Sequence, residues 1–122
     1  MNVLLIHAPI FFSRRSRSAL ETVSNASPPL GLAYLAAMIE HEADVEIVDA
    51  QGLSEEVVKE KVRRTSASVV GLSASTVAIR NAARIAGWVK EFHPESTTVV
   101  GGPHLTAAPL ETMDVFPVFD LG

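Results

Sequence analysis

Val99-Val100-Gly101-Gly102-Pro103-His104 decides how the chain is read. Two β-branched residues end a buried strand, and two successive positions then carry no side chain. Glycine belongs where the backbone needs positive φ, or where another group must come close to it. The run falls at the carboxyl edge expected of a parallel sheet, where ligands bind in open α/β folds.

Outward from this turn, strand and helix signals alternate. Val3-Leu4-Leu5-Ile6 is apolar and mostly branched without alternation, which fits a strand covered on both faces, and His7 stands at its carboxyl end. Ser27-Pro28-Pro29-Leu30-Gly31 opens a helix, with Ser27 as cap and proline in the first turn. Leu30, Leu32, Tyr34, Leu35, Met38 and Ile39 surround that helix on most sides, which predicts that it is buried. Val45, Ile47 and Val48 alternate at first with Asp44 and Glu46, as in a strand nearer the sheet edge, which Asp49 closes.

Ser54 to Arg64 reads as a surface helix, capped by Ser54, with Glu55 and Glu56 at its positive end and Arg63 and Arg64 at its negative end. Val69-Val70-Gly71-Leu72 is the third strand, and a helix follows from about Val77 to Phe92. Thr97 to Val100 is the fourth strand. Thr106 to Met113 predicts a short helix capped by Thr106, and Val118-Phe119-Asp120-Leu121 the start of a fifth strand. This alternation implies an α/β, Rossmann-like (flavodoxin-like) fold: three layers, doubly wound, around five parallel strands with right-handed crossovers. The halt on a last strand leads us to expect the amino-terminal part of a longer protein, with 1–122 as one domain.

Composition narrows the function classes. The 122 residues suit one domain, and 48% hydrophobic against 20% charged residues is ordinary for a globular chain. A formal net charge of −4 leaves no electrostatic footprint for nucleic acid. The longest charge-free apolar run, Pro28 to Ile39, is too short to span a bilayer, and no basic leader opens the chain. The absence of cysteine excludes disulfides and thiolate metal sites within these residues and fits a cytoplasmic protein. Between Ala8 and Ser27 no period holds. This Ser- and Arg-rich stretch also carries Ile10, Phe11 and Phe12, which read as a flap in search of a cover.

Known phosphate sites do not match. Strand one is followed by His7-Ala8-Pro9-Ile10, without the glycines of a dinucleotide site, and no Gly-Lys-Ser/Thr run occurs. A receiver domain would place aspartate where strand three ends in Ser73. What remains is small hydroxyls after strand three, Ser73, Ser75 and Thr76, and bare backbone after strand four. Such a surface suits a large flat ligand inserted edge-on, or its nucleotide-like tail, in a cleft between the two loops.

Three runs carry a resemblance: Pro28-Pro29-Leu30-Gly31-Leu32-Ala33-Tyr34-Leu35-Ala36, Val69-Val70-Gly71-Leu72-Ser73, and Val99-Val100-Gly101-Gly102-Pro103-His104. In order and spacing the chain resembles the cobalamin-binding domain that precedes the catalytic part of many radical S-adenosylmethionine enzymes. The resemblance implies a cobalamin-binding module that is not catalytic alone, joined to a carboxyl-terminal radical S-adenosylmethionine domain. S-adenosylmethionine and a [4Fe-4S] cluster would belong to that other part, a methyltransferase or cyclase. It implies tail contacts at Ser73, Ser75 and Thr76, passage for the tail at Gly101 and Gly102, and Pro103 and His104 beside it.

The Asp-x-His-x-x-Gly run that ligates cobalt in other cobalamin domains is missing, so no protein ligand to the metal is assigned. His7 reads as a structural residue at a strand end, and His41 and His93 as solvated. Gly102→Val is expected to abolish cofactor binding and spare the fold. The rival reading is a cofactor-free interaction or regulatory domain that docks on a catalytic domain through the apolar helix and the Phe11-Phe12 flap.

Overall fold

The computed structural model describes residues 1–14 and 29–122. Much of the flap, the Ser27 cap and Pro28 lie outside the described residues. Strand β1 (Asn2–His7) leads to helix α1 (Leu30–Ile39), β2 (Asp44–Asp49), α2 (Glu55–Arg64), β3 (Val69–Ser73), α3 (Ile79–Phe92) and β4 (Thr97–Gly101). Two short helices follow, α4 (Pro103–Ala107) and α5 (Pro109–Val115). The sheet is parallel, in the order β2-β1-β3-β4, and β2 forms its edge as the alternation of Asp44 to Val48 implies.

The sheet has four strands among the described residues, not the five expected. Val118 to Leu121 does approach β4, but pairs only through one parallel bridge, Val99 to Leu121. Main-chain bonds at Thr98 and Val100 are joined there by polar side chains. Asp120 accepts hydrogen bonds from the Thr98 N–H at 2.8 Å and from Lys90, and the Thr98 hydroxyl donates to the Val118 carbonyl at 2.7 Å. Lys90 in particular, with the Thr98 N–H, holds the Asp120 carboxyl below its ordinary range.

Most of the core lies between the sheet and the pair α2–α3. Leu4, Ile6, Val70, Leu72 and Val100 meet Val58, Val62, Ile85 and Val89 there. Helix α2 has the cap read from the sequence, since Ser54 accepts from the Val57 N–H at 3.3 Å. His93 is not solvated: its ring Nε2–H donates to the Val62 carbonyl at 2.8 Å and ties α3 to α2. The flap leaves β1 toward this same layer. Asn81 donates to the Pro9 and Ile10 carbonyls, both at 3.0 Å, and Phe12 packs on Trp88 with ring centroids 5.8 Å apart. Phe11 stays exposed.

The opposite layer is thin. Among the described residues, only Val3, Leu5, Leu32 and Ala43 form a buried cluster under α1. The helix itself is not buried, contrary to its composition: Leu30 and Tyr34 are each 70% exposed and Met38 is 65% exposed. These three recur at four-residue spacing, so they share the side away from the sheet. No described part of the chain lies over that side. Thr106 does not cap a helix either. It sits within α4, and Ala108 is the residue that precedes α5.

Candidate functional site

The pairing register defines the open face residue by residue. Leu5 lies beside Gly71 and Gly71 beside Val99; one step toward the carboxyl edge, His7 lies beside Ser73 and Ser73 beside Gly101. Side chains alternate across a sheet, so Val3, Leu5 and His7 share a face with Val69, Gly71 and Ser73, and with Val99 and Gly101. Helix α1 covers the β1 side of this face. Over β3 and β4 a trough remains, about 460 Å³ in volume, walled by Leu32, Leu35 and Ile39 of α1. It runs from Met1 and Val69 at the amino end of the strands to Ser73, Gly101 and Gly102 at the carboxyl end. Volumes of roughly 300–1,000 Å³ with mostly apolar walls are typical of small-molecule sites.

The two glycines of the turn play different parts. Gly102 has φ 99°, and a Cβ there would lie 2.9 Å from the Ala74 nitrogen and 2.9 Å from the Ser73 hydroxyl oxygen. Its missing side chain therefore makes room for the neighbouring loop of the protein. A Cβ at Gly101 would meet nothing within 4 Å. Gly101 lies at normal backbone angles on the strand and keeps the mouth of the trough wide.

The loops after β3 and β4 are stitched together, and the expected gap between them does not exist. The Ala74 N–H donates to the Gly101 carbonyl at 3.1 Å, and the His104 N–H to the Ala74 carbonyl at 3.2 Å. The His104 ring nitrogen Nδ1 and the Thr76 hydroxyl are 3.1 Å apart, close enough for a hydrogen bond. The vacancy lies behind the stitched loops, on the sheet face. Of the residues singled out from sequence, Ser73, Gly101 and Gly102 line the trough, whereas Ser75, Thr76, Pro103 and His104 do not. Among the described residues the Ser73 hydroxyl makes no hydrogen bond, so it is free to meet a ligand at the mouth.

Sequence reasoning passed over the walls of this site. Leu35 and Ile39 read as core, and Val99 as a strand residue. Their sharing of a cavity depends on the register of three strands. His7, at the edge of the same face, faces Asp49, with Nδ1 3.2 Å from the carboxylate oxygen Oδ1, which also accepts the Gln51 N–H at 3.1 Å.

Comparison with known proteins agrees with this geometry. Residues 17–121 match the model of a family described as the B12 binding domain. The chain is 35% identical over 125 residues to an uncharacterized methyltransferase of Pyrococcus horikoshii, covering 98% of this chain and 26% of that protein. It is 37% identical over 110 residues to the anaerobic magnesium-protoporphyrin IX monomethyl ester cyclase of Rubrivivax gelatinosus, covering 87% of this chain and 19% of that one. A solved cobalamin-binding protein from Desulfitobacterium hafniense shares the fold, with a TM-score of 0.60 at 12% identity over 99% of this chain and 52% of its own. A parallel sheet with a vacant apolar trough opening at its carboxyl edge, and a family match over most of its length, lead to one conclusion: the chain belongs to the B12 binding domain family.

Proposed function

We propose that this domain binds cobalamin, with the corrin ring over the carboxyl edge and the nucleotide tail laid in the trough between α1 and strands β3 and β4. The observation that carries this reading is Gly101: its absent side chain leaves open the place where the tail would enter. The residues fit the group. An apolar floor suits an aromatic base, and the free Ser73 hydroxyl at the mouth suits the polar linker between base and ring. Bound there, the cofactor would supply cobalt-centred methyl-transfer or radical chemistry, for which the protein provides binding and orientation.

The reading extends to the parent protein. Both relatives are several times longer than the part this chain matches. We infer that the domain serves a radical S-adenosylmethionine enzyme of methyltransferase or cyclase type, whose catalytic part holds S-adenosylmethionine and a [4Fe-4S] cluster. The outward stripe Leu30, Tyr34 and Met38 is the surface on which that part would rest, because large exposed apolar patches mark interaction sites. Ser75, Thr76, Pro103 and His104 border the corrin in this reading, and Ser73, Gly101 and Gly102 the tail. The rival, a domain without cofactor, predicts loops filled by each other and no cleft. The loops are filled, but the trough behind them is open.

The test is retention. The purified chain, mixed with hydroxocobalamin and passed through a gel-filtration column, is expected to elute coloured, with a shifted corrin spectrum. Colourless protein across a wide range of cobalamin concentrations would refute the reading.

A further inference from the structure

The trough offers a ligand almost nothing to hydrogen-bond beyond its mouth. Its inner walls are Val3, Leu5, Leu35, Ile39, Val69 and Val99. The peptide groups of its floor are spent in the ladders joining β1, β3 and β4. The outer edge of β4 is engaged too, with the Val100 N–H donating to the Leu121 carbonyl at 2.9 Å and the Leu121 N–H to the Thr98 carbonyl at 3.1 Å. Beyond its first turn, helix α1 uses its backbone groups internally. Among the described residues that line the trough, Ser73 at the carboxyl end has the one polar side chain.

We propose that this trough selects corrinoids by the base at the end of their tail, accepting an apolar aromatic ring and disfavouring a purine. The inference rests on the tail lying in the trough, as argued above. A purine brings an exocyclic amine and ring nitrogens that are hydrogen-bonded in water. On this floor they find no partner, and a polar group buried without one loses about 1–3 kcal/mol. Summed over the amine and a ring nitrogen, that corresponds to binding weaker by about tenfold or more. A p-cresol ring, linked through its oxygen, has no such group to lose and gains the apolar contact, and a benzimidazole has a single ring nitrogen.

The test is equilibrium dialysis of the 122-residue chain against three corrinoids: one with a p-cresol base, one with an adenine base, and cobinamide, which has no tail base. The proposal expects the p-cresol compound to bind at least about tenfold tighter than the adenine compound. Equal affinity for those two, with cobinamide clearly weaker, would overturn selection by the base and leave the tail in the trough. Cobinamide binding as tightly as the p-cresol compound would remove the tail from the trough, and the inference with it. Retention of none of the three, nor of hydroxocobalamin, would refute corrinoid binding itself. Val99→Thr keeps the shape of the floor and adds a hydroxyl, so it is expected to narrow the gap between the two bases. An unchanged gap in the folded variant would contradict a floor that selects through its lack of polar groups.

Discussion

The two faces of the sheet are built from the same strands and end differently. On one, α2 and α3 cover all of β1, β3 and β4, and residues such as Val58, Val62, Ile85 and Val89 are fully buried. On the other, α1 covers β1 and β2 and leaves the trough over β3 and β4, with Leu5 filling the space beside Gly71 and no side chain at Gly101. Parallel sheets are ordinarily covered on both faces. The difference teaches that stability and binding are divided between faces: the closed face holds the domain together, and the open one is available to a ligand.

The largest effect should come from the closed face. Ile85→Ala removes a fully buried side chain and should cost about 2–5 kcal/mol in urea unfolding. Leu35→Ala, on the wall of the trough and half exposed, should cost about 0.5 kcal/mol or less. Equal losses at the two positions would erase the distinction between the faces.

The glycine pair sharpens it further. Gly102→Ala forces a Cβ against Ala74 at positive φ and should cost about 1–3 kcal/mol. Gly102→Val is therefore expected to lower stability as well as binding, because the space beside Gly102 already belongs to the protein. Gly101→Val is the cleaner substitution. It should leave unfolding within about 1 kcal/mol of the unsubstituted chain and weaken cobalamin binding about tenfold or more, since the side chain enters a space the tail needs. Normal binding by that variant would place the ligand elsewhere.

The smallest effect is expected at the edge of β4. Asp120 has its folded pKa below the ordinary 3.8, through Lys90 and the Thr98 N–H. A carboxyl with a depressed folded pKa contributes stability above its unfolded pKa and loses it as pH falls through the folded value. The melting temperature of Asp120→Asn should thus lie a little below that of the unsubstituted chain at neutral pH. The gap should close in acid below the ordinary carboxyl range. A gap that persists there would mean the side-chain geometry, not the charge, holds the edge.

Much of the fold was legible because local chemistry decided it. The unbroken run Val3 to Ile6, the Ser54 cap and the Glu55 to Arg64 charge pattern each depend on neighbours in sequence. Helix α1 was misread because its apolar composition says that something should cover it, not what. Among the described residues, its Leu32, Ala36 and Ile39 side meets the sheet and nothing lies over the other. The partial fifth strand was misread because Val118 to Leu121 has strand composition, yet it reaches β4 through a single bridge and is held beside it partly by the Asp120 and Thr98 side chains. The site was half legible. A double glycine at a strand end pointed to the right corner, but only the register of β1, β3 and β4 shows that Gly101 opens a trough while Gly102 admits a loop.

Amide chemical-shift mapping of the labelled chain with diamagnetic cob(III)alamin tests the central claim most directly. The account predicts shifts concentrated on the open face, at Gly31, Leu35, Gly71, Val99 and Gly101, with Ala82, Ile85 and Ala86 of α3 unmoved. Shifts centred on α2 and α3, or none along β3 and β4, would contradict it.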